Sequence, residues 1–231
     1  EAAWTLTLPD APAAGAAMDA SRIYVPLENG EVTVLDRQTG ANVWQGEAHA
    51  DWPLAVQGGV LFAAGGTHLR ALEAATGALA WEAEVERPFA SAPRVTGGLV
   101  VIVMAPDDVI AYHALDGSLA WRRSTGGSSG TRQMAVGTEG VYLTAPGGHG
   151  IALSLRDGHP LWDVVLPGAL SAPAAGKDRV FVGSDDNVFY ALDAGSGHLA
   201  WRWRAGGDVM GADADKDAVY FASLDNELRA V

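Results

Sequence analysis

The chain has 231 residues, 48 % of them hydrophobic and 19 % charged, with a formal net charge of −13 and no cysteine. That apolar content is enough for a sizeable core and excludes a disordered chain. The acidic balance keeps the protein soluble and disfavours nucleic acid and anionic headgroups as partners, the missing cysteines exclude disulfides and thiolate metal sites, and no apolar run reaches the ~18–20 residues of a membrane-spanning helix, so no membrane insertion is expected.

Taken in chain order, one unit recurs. After Trp4 comes an alternating strand, Arg22-Ile23-Tyr24-Val25-Pro26, a turn at Glu28-Asn29-Gly30, and a second strand through Val34. This leads to Asp36, Thr39, Gly40 and Trp44. Next, Val60-Leu61-Phe62-Ala63 precedes Ala71, Glu73, Thr76, Gly77 and Trp81. The third unit opens at Ala90-Ser91-Ala92-Pro93 and ends in Ala111, His113, Asp116, Gly117 and Trp121. In the fourth, Val141-Tyr142-Leu143-Thr144 precedes Ala152, Ser154, Asp157, Gly158 and Trp162. The fifth opens at Leu170-Ser171-Ala172-Pro173 and runs through Arg179-Val180-Phe181-Val182 and the turn Asp185-Asp186-Asn187 to Ala191, Asp193, Ser196, Gly197 and Trp201. A sixth begins with Ala218-Val219-Tyr220-Phe221, turns at Asp225-Asn226 and reaches Leu228-Arg229-Ala230-Val231, which aligns with Leu69-Arg70-Ala71-Leu72.

The tryptophans follow one another at 40, 37, 40, 41 and 39 residues, and glycine stands four residues before five of them. The unit reads Ala-x-Asp-x-x-Thr-Gly-x-x-x-Trp. Each part has a physical reason. Glycine supplies the positive φ of a tight turn, and the Asp, Thr or Ser side chains cap it by bonding nearby amides. The indole is a broad apolar plate with one N–H donor, suited to packing across a seam between sheets. Four short strands per unit at this period predict an all-β fold: a β-propeller of four-stranded antiparallel blades.

The expected architecture is a single domain over 1–231 with six blades at about 9–48, 49–86, 87–126, 127–166, 167–206, and 207–231 joined by 1–8. The last blade takes its fourth strand from around Trp4, so that pairing of the N- and C-terminal strands closes the ring and removes its exposed edges. A piece of a longer, eight-bladed propeller is the alternative.

On these motifs, above all Ala71-x-Glu73-x-x-Thr76-Gly77-x-x-x-Trp81 and Ala191-x-Asp193-x-x-Ser196-Gly197-x-x-x-Trp201, the chain resembles the pyrroloquinoline-quinone-like (PQQ-like) propeller repeat family over essentially its whole length. The resemblance implies a structural docking role for Trp4, Trp44, Trp81, Trp121, Trp162 and Trp201 with Gly40, Gly77, Gly117, Gly158 and Gly197. It also implies one of two functional branches. One comprises quinoprotein dehydrogenases that bind PQQ and calcium. The other comprises non-catalytic scaffolds, including the periplasmic propeller lipoprotein of outer-membrane barrel assembly, and sensor domains attached to kinases or receptors. The chain is much shorter than those dehydrogenases, and lacks their adjacent cysteine pair and long insertions. The expectation is therefore a non-catalytic scaffold in the periplasm or at the cell surface with a protein partner, no nucleic acid, no cofactor and no metal.

Other motifs read as structure. Asp213-Ala214-Asp215-Lys216-Asp217 has Ala218 and Leu224 where a calcium loop needs glycine and glutamate, and reads as a solvated turn. His49, His68, His113, His149, His159 and His198 form no ligand pair. Gly126-Gly127-Ser128-Ser129-Gly130 lacks the Lys of a phosphate loop and reads as a linker. The candidate partner-binding residues are Trp203 and Arg204, on opposite faces of the strand that bears Trp201, and Trp52, which begins a first strand. The sequence carries no signal for an oligomeric state.

Overall fold

The computed structural model describes residues 4–126, 133–215 and 218–231. Twenty-three strands and no helix are found among them. The first sheet has β1 (Ala17–Met18), β2 (Arg22–Pro26), β3 (Glu31–Asp36) and β4 (Asn42–Glu47). The second has β5 (Ala55–Gln57), β6 (Val60–Gly65), β7 (His68–Glu73) and β8 (Leu79–Glu84). The third has β9 (Arg94–Thr96), β10 (Leu99–Met104), β11 (Asp108–His113) and β12 (Leu119–Ser124). The fourth comprises β13 (Gln133–Val136), β14 (Gly140–Ala145), β15 (His149–Ser154) and β16 (Pro160–Val165), and the fifth β17 (Ala174–Ala175), β18 (Arg179–Gly183), β19 (Val188–Asp193) and β20 (Leu199–Arg204). The sixth has three strands, β21 (Val209–Ala214), β22 (Val219–Ser223) and β23 (Glu227–Ala230). Within every sheet the strands lie in sequence order, each antiparallel to the next wherever the register is defined. Short loops join them, as hairpin connections require.

The chain divides into two compact units, Glu1–Ala105 with Ile110–Ala120, and Pro106–Val109 with Trp121–Val231. In the first unit, β1, β5 and β9 lie side by side. One face of the first sheet (Tyr24, Val32, Val34) is buried against Leu61, Ala63 and Leu72 of the second. The opposite face of the second sheet (Phe62, Leu69, Ala71) is buried against Val100, Ile102 and Met104. In the second unit, Tyr142, Ala152 and Trp162 cover Val180, Val182 and Leu192, and Phe181, Phe189 and Ala191 cover Val219 and Phe221. The strict in–out alternation along the central strands is what commits each face to one neighbour.

The glycine turn is built alike throughout. In the fifth unit, Gly197 N–H donates to the Asp193 carbonyl at 2.9 Å, and Asp193 Oδ1 accepts from Ser196 N–H at 3.0 Å and its hydroxyl at 2.8 Å. Asp36 accepts the same bonds from Thr39, both at 2.8 Å. A register shift follows at one fixed place: between Val34 and Leu35, Ala71 and Leu72, Ala152 and Leu153, and Ala191 and Leu192. The extra residue lies on the fourth strand, just before its tryptophan (Val43, Ala80, Leu161 and Ala200), and bends that strand where it leaves the turn.

These caps make the fold sensitive to acid. Hydrogen bonds from the His159 side chain, the Ser154 side chain and the His159 amide draw the Asp157 carboxyl from its ordinary 3.8 down to about 2. At Asp19 partial burial pushes upward, but bonds from Tyr24, Ser21 and Arg22 outweigh it and bring the carboxyl to about 2. A carboxyl that titrates lower folded than unfolded stabilises the fold above its unfolded pKa, and this contribution is lost as pH falls through the folded value. Urea midpoints should therefore hold from pH 7 to about 4 and drop between pH 4 and pH 2, and Asp157→Asn should reduce that drop. Equal midpoints at pH 4 and pH 2 would refute the assignment.

The fourth strand expected for the sixth sheet is not formed by the described residues. Trp4 to Leu8 belong to no sheet, and the preceding residues 1–3 lie outside the described set. The Trp4 indole instead donates to the Arg37 carbonyl at 3.2 Å and lies over Gly40.

Candidate functional site

Trp44, Trp81, Trp121 and Trp162 each meet the glycine turn of the unit that follows their own. The Trp44 Nε1–H donates to the Ala74 carbonyl at 3.0 Å, Trp81 to Ala114 at 3.0 Å, Trp121 to Leu155 at 2.9 Å and Trp162 to Ala194 at 2.9 Å. In every case the accepting carbonyl stands three residues before the motif glycine. The ring lies on that glycine: a Cβ at Gly77 would stand 2.8 Å from Trp44, at Gly117 2.6 Å from Trp81, at Gly158 2.5 Å from Trp121 and at Gly197 2.8 Å from Trp162. Real Cβ atoms do not approach carbon so closely, so glycine is required for contact as well as for its positive φ. Trp201 differs. It packs inside its own sheet, with ring centroids 5.9 Å from both Phe181 and Phe189, and no carbonyl among the described residues accepts its indole N–H.

Of the candidate partner-binding residues, Trp203 and Arg204 lie on opposite faces of β20. Trp203 pairs with Phe189 across the sheet, and Arg204 pairs with Val188. Trp203 is 47 % exposed and projects from the face bearing Trp201, while Arg202 and Arg204 project from the other. The face of Arg202 also holds Tyr190, whose hydroxyl donates to Asp186 Oδ2 at 2.6 Å. Burial, and then this bond to Asp186, push the Tyr190 phenol up to about 12. Trp52 is half-buried and packs against the cluster of Phe62 and Val100, in the manner of ordinary core packing.

The remaining polar motifs resolve into turns. Asp215 Oδ1 accepts from the Ala218 amide at 2.8 Å; Lys216 and Asp217 lie outside the described residues, as does most of the glycine-rich segment after Gly126. His149 pairs with Asp163 at 3.2 Å and His159 with Asp157 at 2.9 Å. Among the described residues no three His, Cys, Asp or Glu side chains are grouped to hold a metal ion. Two open cavities are polar or mixed in lining. One, of about 460 Å³, is bounded by Asn29, His49 and Asp51. The other, of about 440 Å³, is bounded by Gln133, Ser171, Asp185 and Asp208.

Sequence reasoning missed two features. Ser91 and Ser171 each accept a backbone amide of the neighbouring second strand, from Val103 and Gly183 at 3.0 Å, a shared geometry signalled by the repeated Ser-Ala-Pro. Arg122 reaches Asp108 at 2.5 Å, with Asp108 almost fully buried; no repeat position marked that pair.

Consecutive sheets of this construction, pinned by tryptophan on the next unit's turn, define a β-propeller of tryptophan-docking repeats. A family model described as outer membrane protein assembly factor BamB matches residues 28–172 and 166–231, and the chain belongs to that family. Comparison with curated proteins finds no match. Among solved structures, BamB from Moraxella catarrhalis is similar at a TM-score of 0.78 and 19 % identity, over 100 % of this chain and 75 % of that one. The computationally designed Ika8 protein gives 0.78 and 19 %, over 96 % and 70 %. The quinohemoprotein alcohol dehydrogenase ADHIIG from Pseudomonas putida HK5 gives 0.66 and 20 %, over 86 % of this chain but 42 % of that one. These likenesses bear on fold: an all-β propeller architecture of six blades, the sixth with three strands in the described residues.

Proposed function

We propose that the chain is a non-catalytic scaffold of the cell envelope that holds protein partners outside the cytoplasm. One observation carries this reading. Six carboxyls among the described residues are displaced downward, by hydrogen bonds that cap a turn or bind an arginine: Asp19, Asp36, Asp116, Asp157, Asp193 and Asp225. A general acid or base working near neutral pH needs the opposite displacement. Membership of the BamB family supports the same reading.

The likeness to a quinohemoprotein dehydrogenase favours a second reading, in which the chain binds PQQ and calcium. Against it stands the lack, among the described residues, of three grouped His, Cys, Asp or Glu side chains that could hold the calcium ion. The deciding experiment titrates the chain with PQQ and calcium, following absorbance and dye-linked alcohol oxidation, alongside affinity capture from an envelope extract. No quinone complex and no turnover are expected, with capture of a protein that Trp203→Ala weakens. Quinone-dependent turnover would overturn the scaffold reading.

A further inference from the structure

In four sheets the residue that follows the docking tryptophan is held by a partner on the neighbouring third strand. Gln45 donates to Glu31 at 2.6 Å, Glu82 pairs with Arg70 at 2.7 Å, Arg122 with Asp108 at 2.5 Å and Asp163 with His149 at 3.2 Å. Such cross-strand pairs are internal to their sheets. In the fifth sheet that position is Arg202, and its third strand offers Val188 and Tyr190 in the two partner places. Val188 is apolar, and the Tyr190 hydroxyl is bonded to Asp186. Arg204 lies two residues on, on the same face. Both arginines are exposed, and neither has a carboxylate partner among the described residues.

The backbone at these residues is open as well. Strand β20 is bonded only to β19 among the described residues. Ala205 N–H donates to the Asn187 carbonyl at 2.8 Å. Bonded and non-bonded residues alternate along an antiparallel pair, so Trp203 bonds to Phe189 while Arg202 and Arg204 turn their amides and carbonyls away from β19. The strand edge thus presents two unpaired cations about 7 Å apart, the free backbone groups of the same two residues, and between them Trp203, 47 % exposed on the opposite face. No other fourth strand among the described residues repeats this. The place of Arg204 holds Glu47, Glu84, Ser124 or Val165, and the place of Trp203 holds no aromatic residue.

We propose that the edge of β20 is the docking site for an acidic polypeptide segment, which adds to the fifth sheet as an extra strand in the pattern acidic, apolar, acidic. Its two carboxylates stand opposite Arg202 and Arg204, its backbone takes the free amides and carbonyls of those residues, and its apolar side chain lies against Trp203. Main-chain bonds supply affinity in strand addition and the alternate side chains supply choice. On a chain of net charge −13 these arginines form a local positive spot, so the complementarity selects an anionic partner at this edge. A phosphate or a lipid headgroup meets the guanidinium groups but leaves the edge backbone and Trp203 unused. The site rests on the scaffold reading above and names the chemistry of its partner.

The test adds a labelled peptide, Ser-Thr-Glu-Leu-Glu-Thr-Ser with both ends blocked, to the whole 231-residue chain and follows fluorescence anisotropy. Saturable binding is expected, weakened at least about tenfold by Arg202→Glu with Arg204→Glu. All the substituted side chains are exposed, so the variants keep the fold, which circular dichroism checks. The charge-reversed peptide Ser-Thr-Lys-Leu-Lys-Thr-Ser should bind that double variant and not the parent. Trp203→Ala should also weaken binding, and hydrogen exchange should slow at the Arg202 and Arg204 amides when the Glu peptide is bound. The proposal fails if the Glu peptide does not bind, or if a peptide of the same composition with adjacent glutamates binds equally, since bare charge would then suffice. It also fails if vesicles containing phosphatidylglycerol bind through the two arginines and the peptide does not compete, which would assign the spot to a headgroup. Absence of peptide binding alongside capture of a protein from the envelope extract would remove this site and leave the scaffold reading standing. Quinone-dependent turnover would remove the scaffold reading without altering the peptide result.

Discussion

Trp121→Ala is expected to destabilise the protein by about 3–5 kcal/mol, the usual cost of truncating a buried aromatic. Trp121 is 8 % exposed, its ring covers Gly158, and its N–H satisfies the Leu155 carbonyl at 2.9 Å. Leu155 is itself buried, so the variant opens a cavity and also leaves an acceptor without its partner, an effect of about 1–3 kcal/mol within that total. Trp52→Ala removes a half-buried ring with no such bond, and should cost less. Urea melts of the two variants decide the matter. Equal, small losses would remove the docking role assigned to Trp121.

Gly158→Val attacks the same contact from the other side. The new Cβ would stand 2.5 Å from Trp121 Cε3, on a backbone with φ of +68°. The left-handed conformation costs an L-residue about 1–2 kcal/mol, and forcing atoms into a filled contact adds about 1–3 kcal/mol. The expected loss is about 2–5 kcal/mol. Because the clash is with one side chain, it should vanish when that side chain is gone. The double variant Trp121→Ala with Gly158→Val should therefore lose less than the sum of the singles by about 1–3 kcal/mol. Strict additivity would mean that Gly158 acts through its backbone conformation alone.

The blade pattern was legible because its determinants are local. A glycine at positive φ, an Asp, Ser or Thr that can cap it, and alternating apolar residues act within a dozen residues, so their recurrence reports the recurrence of the structure. The separation of Trp203 from Arg204 was legible for the same reason, since neighbours on a strand face opposite ways. The closing strand around Trp4 was inferred from repeat phase. Phase states which position a residue occupies in its unit but not which sheet it joins, and Trp4 to Leu8 join none.

From its own residues, then, the chain set six similar units, their turns and the two faces of every strand. Packing settled what those faces meet. Trp44 could not be assigned to Gly77 in place of Gly40 by spacing, since that choice depends on which sheet lies alongside. Tyr142 and Tyr220 are the same residue at the same place in their units, yet one is 3 % exposed and the other 41 %. Local sequence sets backbone geometry and the direction of each side chain. Whether a side chain is buried is decided by the presence of a second surface against it, and that surface comes from residues distant in the chain.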